Sequence, residues 1–280
     1  MQQQTLIDNT GAPAAPRPAP NFTSTSARHN AWTVAGVSLT GLRHHMNGQV
    51  GEDHLTHGVQ PEGGIAVAVG DGVSGGACGD IASKIATLYC TTTPAGQFDF
   101  QTLDTAVQHA ISLHTDERGA ATVAAVWAED DGRGHAMHVG DCRVWQWRKA
   151  ERRLLPLTRD QTYTQLGELP PSHIPPDNPA RMVGCGCRLD PGAKLQPLQM
   201  APGDLLLLTS DGLHDFLSAW KIEEQLNRRA ASITRHGPQA LLRLARTLLH
   251  GALQEGSEDD ASVLLLGFDG SQPQTVHGRV

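Results

Sequence analysis

Short apolar runs broken by glycine and aspartate recur along most of this chain. Seven read as strands: Ala31–Leu39, Ile65–Val69, Thr122–Trp127, His135–Val139, Val144–Trp147, Leu205–Thr209 and Val263–Phe268. Several are apolar at nearly every position, which is expected of strands covered on both faces. Four other stretches carry a helical period. Ala77–Cys90 presents Ile81, Ile85 and Leu88, and Thr102–Arg118 presents Leu103, Val107 and Ile111. Ile222–Ala231 and Pro238–Leu253 form a second pair, the latter strongly amphipathic through Leu241, Leu244, Leu248 and Leu249. The order is strands, two helices, several strands, two helices and a last strand. Strict strand–helix alternation is absent, so a doubly wound parallel sheet is excluded. The pattern predicts an α+β fold, an α-β-β-α sandwich of two antiparallel sheets flanked by helix pairs.

The segments between these elements set the expected boundaries. Residues 1–30, rich in Pro, Ala and Gln at the start, read as a disordered arm. A single domain spans 31–269, and 270–280 form a tail. Within the domain, residues 165–187 hold Pro170, Pro171, Pro175, Pro176 and Pro179. That stretch is too long and polar for a plain turn and is expected to be a functional flap.

Composition narrows the function by exclusion. The 280 residues carry a formal charge of −7, with 39% apolar and 18% charged residues. A soluble protein with a sizeable core fits, and nucleic acid as the main partner does not, because phosphate backbones demand a basic field. No stretch approaches the ~18 apolar residues of a membrane span. The absence of a secretory signal pattern places the protein in the cytoplasm, and five cysteines fit reduced thiols there. Cys185 and Cys187 form a lone C-x-C without a partner pair at zinc-finger spacing.

The candidate chemistry lies where apolar strands stop. Ile65–Val69 runs into Gly70-Asp71-Gly72, His138-Val139-Gly140 into Asp141, and Leu205–Ser210 into Asp211-Gly212. Asp259-Asp260 stands before the last strand, and Glu52-Asp53 lies between the first two. One aspartate after a strand is an ordinary turn residue. Five such positions, on strands lying side by side, would bring their carboxylates into a small volume. Such a cluster repels itself unless hard cations neutralise it, and oxygen ligands without His or Cys favour Mg²⁺ or Mn²⁺ over zinc. Gly72 would let its backbone approach such an ion closely.

Taken in order, these segments resemble the metal-dependent protein phosphatases of type 2C, the PPM family, over roughly residues 32–268. Val69–Gly76 is similar to its V-x-D-G-x-G-G, Gly140–Trp145 to G-D-S-R-x-x, and Leu157–Gln161 to L-T-x-D-H. Leu208–Asp215 is similar to L-x-S-D-G-L-x-D, and Asp259–Val263 to D-N-x-T-V. The resemblance implies a protein serine/threonine phosphatase in which two Mn²⁺ or Mg²⁺ ions hold a bridging water aimed at phosphorus. It implies Asp71, Asp211 and Asp259 as the catalytic ligands, with Asp71 bridging both ions and the Gly72 carbonyl on one of them. Asp53, beside Glu52, would serve the second ion and Asp141 a weaker third, with Asp260 behind them. The substrate would be a phosphoprotein, the counterpart of a bacterial Ser/Thr kinase, met by a monomer.

Departures from the family pattern leave alternatives open. The Arg that grips phosphate is usually about five residues before the early Asp; here Gly41-Leu-Arg-His-His45 lies further upstream, so Arg43 or His44 would take that role. Val73 stands where some members have a histidine, and Gln161 replaces the last His of L-T-x-D-H. The Gly-Thr-Thr signature reads Gly119-Ala-Ala-Thr122. A catalytically impaired binding module of the same fold is therefore the alternative to an enzyme. Mn²⁺-dependent ester hydrolysis separates the two.

Overall fold

The computed structural model describes residues 21–73, 78–115, 118–186, 189–190 and 192–270, without the side chains of 21 and 232–236. One sheet has six strands in the order β1 (Asn21–His29), β2 (Trp32–Thr40), β11 (Ala261–Phe268), β10 (Leu205–Thr209), β7 (Arg143–Arg148) and β8 (Arg153–Pro156). The other has five: β3 (His54–Val59), β4 (Ile65–Gly72), β5 (Ala121–Ala128), β6 (Arg133–Val139) and β9 (Gln196–Gln199). Every pairing within them is antiparallel.

Helices α2 (Gly79–Thr92) and α3 (Phe100–Ser112) cover the five-stranded sheet. Helices α6 (Ala219–His236) and α7 (Pro238–Gln254) cover the six-stranded one. The period of two along a strand explains the continuous apolar runs. In β10, Leu205 and Leu207 pack toward Leu241, Leu244 and Leu248, while Leu206 and Leu208 pack into the space between the sheets. In β11, Val263 and Leu265 take the first face, Leu264 and Leu266 the second. Both faces are thus buried, each leucine contributing about 2 kcal/mol on leaving water. The four-layer sandwich is the one the pattern predicts.

Three differences are instructive. Asn21–His29 are not part of a disordered arm but form the edge strand β1, in register with β2 from Asn21↔Thr40 to His29↔Trp32. Its sequence, NFTSTSARH, is polar because its other backbone edge is unpaired, and only Phe22 and Ala27 reach the core clusters. Helix α3 stops at Ser112, short of Arg118, and the next residue, Leu113, is 70% exposed. Strands β3, β8 and β9 are short and largely unburied, so they lack the apolar run that marks a strand.

Register fixes where the strand ends fall. Asp71 pairs with Thr122, His54 with Gly70, and Val139 with Val123, so the start of β3, the end of β4 and the end of β6 share one edge. In the other sheet Thr209 pairs with both Val263 and Arg143, and Leu39 with Ala261. The end of β10 and the start of β11 therefore sit together. Among the described residues no helix is long and apolar enough to cross a membrane.

Candidate active site

A cleft of about 560 Å³ opens over these strand ends. Asp71, Gly72, Asp141, Asp211 and Asp259 line it, as do Arg43, Thr122, Asp160, Asp177 and Asp215. Each sheet contributes: Asp71 ends β4 and Asp141 follows β6, while Asp211 opens the short helix α5 (Asp211–His214) and Asp259 precedes β11. Asp53, immediately before β3, reaches across to Ser210, whose hydroxyl donates to its Oδ2 at 2.7 Å. The Ser210 Oγ in turn accepts the Ser262 N–H at 2.8 Å, so one serine ties an acid of one sheet to the backbone of the other.

The turns that present the acids are tightly packed. Gly140 has φ +93°, and a Cβ there would lie 2.4 Å from the Thr122 methyl, so only glycine serves. The Gly140 N–H donates to the Gln161 side-chain oxygen at 2.9 Å, and the Gln161 N–H returns to the Gly140 carbonyl at 2.9 Å. A Cβ at Gly212 would come within 1.9 Å of the Asp260 carbonyl oxygen, which is how closely α5 and the start of β11 approach.

Crowding dominates the electrostatics. Burial raises Asp71 well above the ordinary carboxyl range, and the charges of Asp211, Asp53 and Asp141 raise it further. A side-chain hydrogen bond between Asp71 and Asp211 adds to the rise at Asp71 and opposes it at Asp211. Burial, then the Asp260 charge, raises Asp53, against the hydrogen bond from Ser210. Asp141 is pushed to about 7, by burial and then by Asp211. Asp211 is pushed to about 6, by burial first, with the Asp71 hydrogen bond opposing and the Asp259 charge adding. Among the described residues, no three His, Cys, Asp or Glu side chains stand in a metal-ligating arrangement. Asp71 instead meets Asp211, Asp53 accepts from Ser210, and the Asp259 carboxylate accepts its neighbour's Asp260 N–H at 3.0 Å. The donor set nevertheless suits a hard cation. It consists of oxygens alone, and the buried Asp53 Oδ1 has no hydrogen-bond partner among the described residues.

Arg43 and His44 occupy the short helix α1 (Leu42–Met46) and part ways. Arg43 is in the cleft wall and, among the described residues, is the one Lys or Arg that lines it. His44 is not in that wall. Its Nδ1 stands 2.9 Å from Asp260 Oδ2, too poorly aligned for a hydrogen bond, and its Nε2 stands 3.6 Å from Glu52 Oε2. Burial works against charge on His44, but Asp260 and Glu52 outweigh it and raise its pKa. Of the two candidate phosphate ligands, Arg43 lines the cleft, while the His44 ring lies against Asp260 and Glu52.

Several residues in or beside the cleft carried no prior expectation. Arg143 makes a two-pronged bond to Asp160, Nε to Oδ1 at 2.7 Å and Nη2 to Oδ2 at 2.5 Å, and Asp215 lies 3.9 Å from the same guanidinium. Arg143, Asp160 and Asp215 stand in segments recognised from their motifs, yet only three-dimensional proximity joins them. The long connection after β8 brings Thr162, Gln165, Asp177, Asn178 and Pro179 to the cleft around the helical turn α4 (Tyr163–Leu166). It is stapled by bridges Thr162↔Pro179 and Ala121↔Val183. The expected flap thus borders the site, though its last residue, Cys187, lies outside the described residues, as do Ser74–Ala77 of the glycine-rich turn.

Two mixed-origin rows of carboxylates meeting at one edge of a four-layer sandwich define the class: a phosphatase fold of the PPM type. The family model of stage II sporulation protein E (SpoIIE) matches residues 61–269, and the chain belongs to that family. Solved structures agree on the fold. The Mycobacterium tuberculosis serine/threonine phosphatase PstP/Ppp is 21% identical with a TM-score of 0.59, over 89% of this chain and 99% of that one. PppA of Pseudomonas aeruginosa, described as a key regulatory component of T6SS, is 22% identical with a TM-score of 0.63, over 88% and 100%. The catalytic domain of PstP in complex with two manganese ions is 23% identical with a TM-score of 0.57, over 89% and 97%. The search of curated proteins found no match.

Proposed function

We propose that the protein hydrolyses phosphoserine and phosphothreonine esters on other proteins with the help of two Mn²⁺ or Mg²⁺ ions. The carrying observation is the convergence of Asp53, Asp71, Asp141, Asp211 and Asp259, drawn from both sheets, beside a cleft where Arg43 is the single basic side chain among the described lining residues. Asp71, Asp211 and Asp259, with Asp53 and the Gly72 carbonyl, would hold the two ions, and Asp141 a weaker third. Such cations supply Lewis-acid polarisation of phosphoryl oxygens and activation of water. The SpoIIE family and the two manganese ions of the PstP relative support that assignment.

The chain's own groups do the rest. Arg43 binds the phosphate, since a planar guanidinium matches two phosphoryl oxygens at once. The Arg143–Asp160 pair holds Asp160 in the cleft wall, and Gln161 fixes the turn that carries Asp141. Among the described residues no histidine lines the cleft, so a cleft carboxyl would supply the proton for the departing serine or threonine oxygen. The open cleft and its flanking connection suit a protein segment as substrate, supplied by a Ser/Thr kinase in the cytoplasm and met by a monomer.

The test is phosphate release from a phosphothreonine peptide. Activity is expected with Mn²⁺, none in EDTA, and a loss of roughly 100-fold or more in Asp211→Asn. Full activity in EDTA or in that variant sinks the reading.

A further inference from the structure

The segment between β2 and β3 carries Arg43 near its start and Asp53 at its end, yet little apolar packing holds it. Helix α1 has no buried residue, and Met46 and Val50 are 75% and 68% exposed. Something polar must set its shape. Both ends of the segment meet one buried side chain, Asp260, which is only 3% exposed. The Gly41 N–H donates to Asp260 Oδ1 at 2.6 Å, and the Glu52 N–H donates to Oδ2 at 2.5 Å. His44, from the same segment, closes on Oδ2 at 2.9 Å.

The contact extends past Asp260. The Glu52 carbonyl accepts the Gly72 N–H at 3.2 Å and the Ser83 hydroxyl at 2.5 Å, which links the segment to the turn after Asp71 and to α2. At the other end, a Cβ on Gly41 would lie 2.3 Å from the Asp259 carbonyl carbon, so the start of α1 sits directly on the backbone of the acidic pair.

We propose that Asp260, together with His44, is a positioning clamp: it pins Gly41 and Glu52 to the start of β11 and so sets Arg43 in the cleft wall and Asp53 in the carboxylate cluster. A carboxylate is required, because the Gly41 and Glu52 N–H groups each take one of its two oxygens, with the His44 ring standing against Oδ2. An asparagine offers one acceptor oxygen and places an NH₂ against the other donor. The His44 ring serves the clamp and not the substrate. Its effect on the reaction passes through Arg43 and Asp53.

The proposal rests on the phosphatase reading for one of its readouts, so the experiment pairs two. Mn²⁺ binding is measured by calorimetry, and KM and kcat on a phosphothreonine peptide, for wild type, Asp260→Asn, His44→Gln and the double variant. Asp260→Asn is expected to weaken Mn²⁺ binding by about ten-fold and to raise KM more than it lowers kcat, as loss of a ligand's outer partner does. His44→Gln is expected to shift the same quantities less, and the double variant to be no worse than Asp260→Asn, because the two residues act through one contact. Mn²⁺ affinity and KM within about two-fold of wild type in Asp260→Asn, or full additivity in the double variant, overturns the clamp. Should Asp260→Asn fail to fold, His44→Gln decides alone: unchanged Mn²⁺ affinity and KM overturn it. A wild type that binds Mn²⁺ but releases no phosphate defeats the phosphatase reading while leaving calorimetry to judge the clamp.

Discussion

Asp141 and Asp211 hold their protons more tightly in the folded protein than in the unfolded chain, at about 7 and about 6 against 3.8. The stability these groups contribute is whole below the unfolded value and is lost as pH rises through the folded ones. Chelator-treated protein is therefore expected to lose melting temperature between about pH 5 and pH 7.5, and Asp141→Asn to flatten that slope. An equal slope in the variant would count against a raised Asp141. Gly212 makes a different demand. With Asp260 O standing 1.9 Å from the place of its Cβ, Gly212→Ala must push α5 and the start of β11 apart. A loss of about 3 kcal/mol is expected, read from the urea midpoint. A variant of wild-type stability would show that the two backbones have room to separate.

Among the elements, β1 gives the clearest test. It pairs with β2 along nine residues and sets Phe22 against His250 of α7, ring centres 5.5 Å apart. Deleting residues 1–30 strips that strand and bares the β2 edge. The truncated protein is expected to melt more than about 5 °C lower and to aggregate, and an unchanged melting curve would show that the strand is dispensable. The same strand shows what a sequence conceals. Leu205–Thr209 and Val263–Phe268 are legible because both faces are buried, so each apolar position repeats the message. β1 and β9 are edge strands and β3 and β8 are largely unburied, and hydrogen bonds to a neighbour, not apolar side chains, define them. The site divides likewise. Asp71, Asp141, Asp211 and Asp259 stand at ends of legible strands and were found there, as was Arg43 near the first. Ser210, Arg143, Asp160 and Gln161 act through partners remote in sequence, and nothing local to them announces the partner. The neighbours of the His44 ring, Glu52 and Asp260, likewise come from 8 and 216 residues away, so nothing local to it announces them.

For the whole molecule, the carboxylate cluster makes cation binding and folding interdependent. Ions that bind the folded protein and not the open chain raise its melting temperature by mass action. Mn²⁺ is expected to raise it at pH 7, and less at pH 5, where the raised carboxyls retain their protons. A shift that is equal at both values, or persists in Asp211→Asn, would place the bound ion elsewhere.

Neither half of the sandwich owns the cleft: β3, β4 and β6 bring Asp53, Asp71 and Asp141, while β10 and β11 bring Asp211 and Asp259. A chain emerging during synthesis would acquire Asp53, Asp71 and Asp141 long before Asp259, which waits for the last strand to dock between β2 and β10. On the phosphatase reading proposed above, catalysis would wait until that strand is seated, so a nascent or clipped chain would stay silent and turnover would double as a certificate of completed assembly.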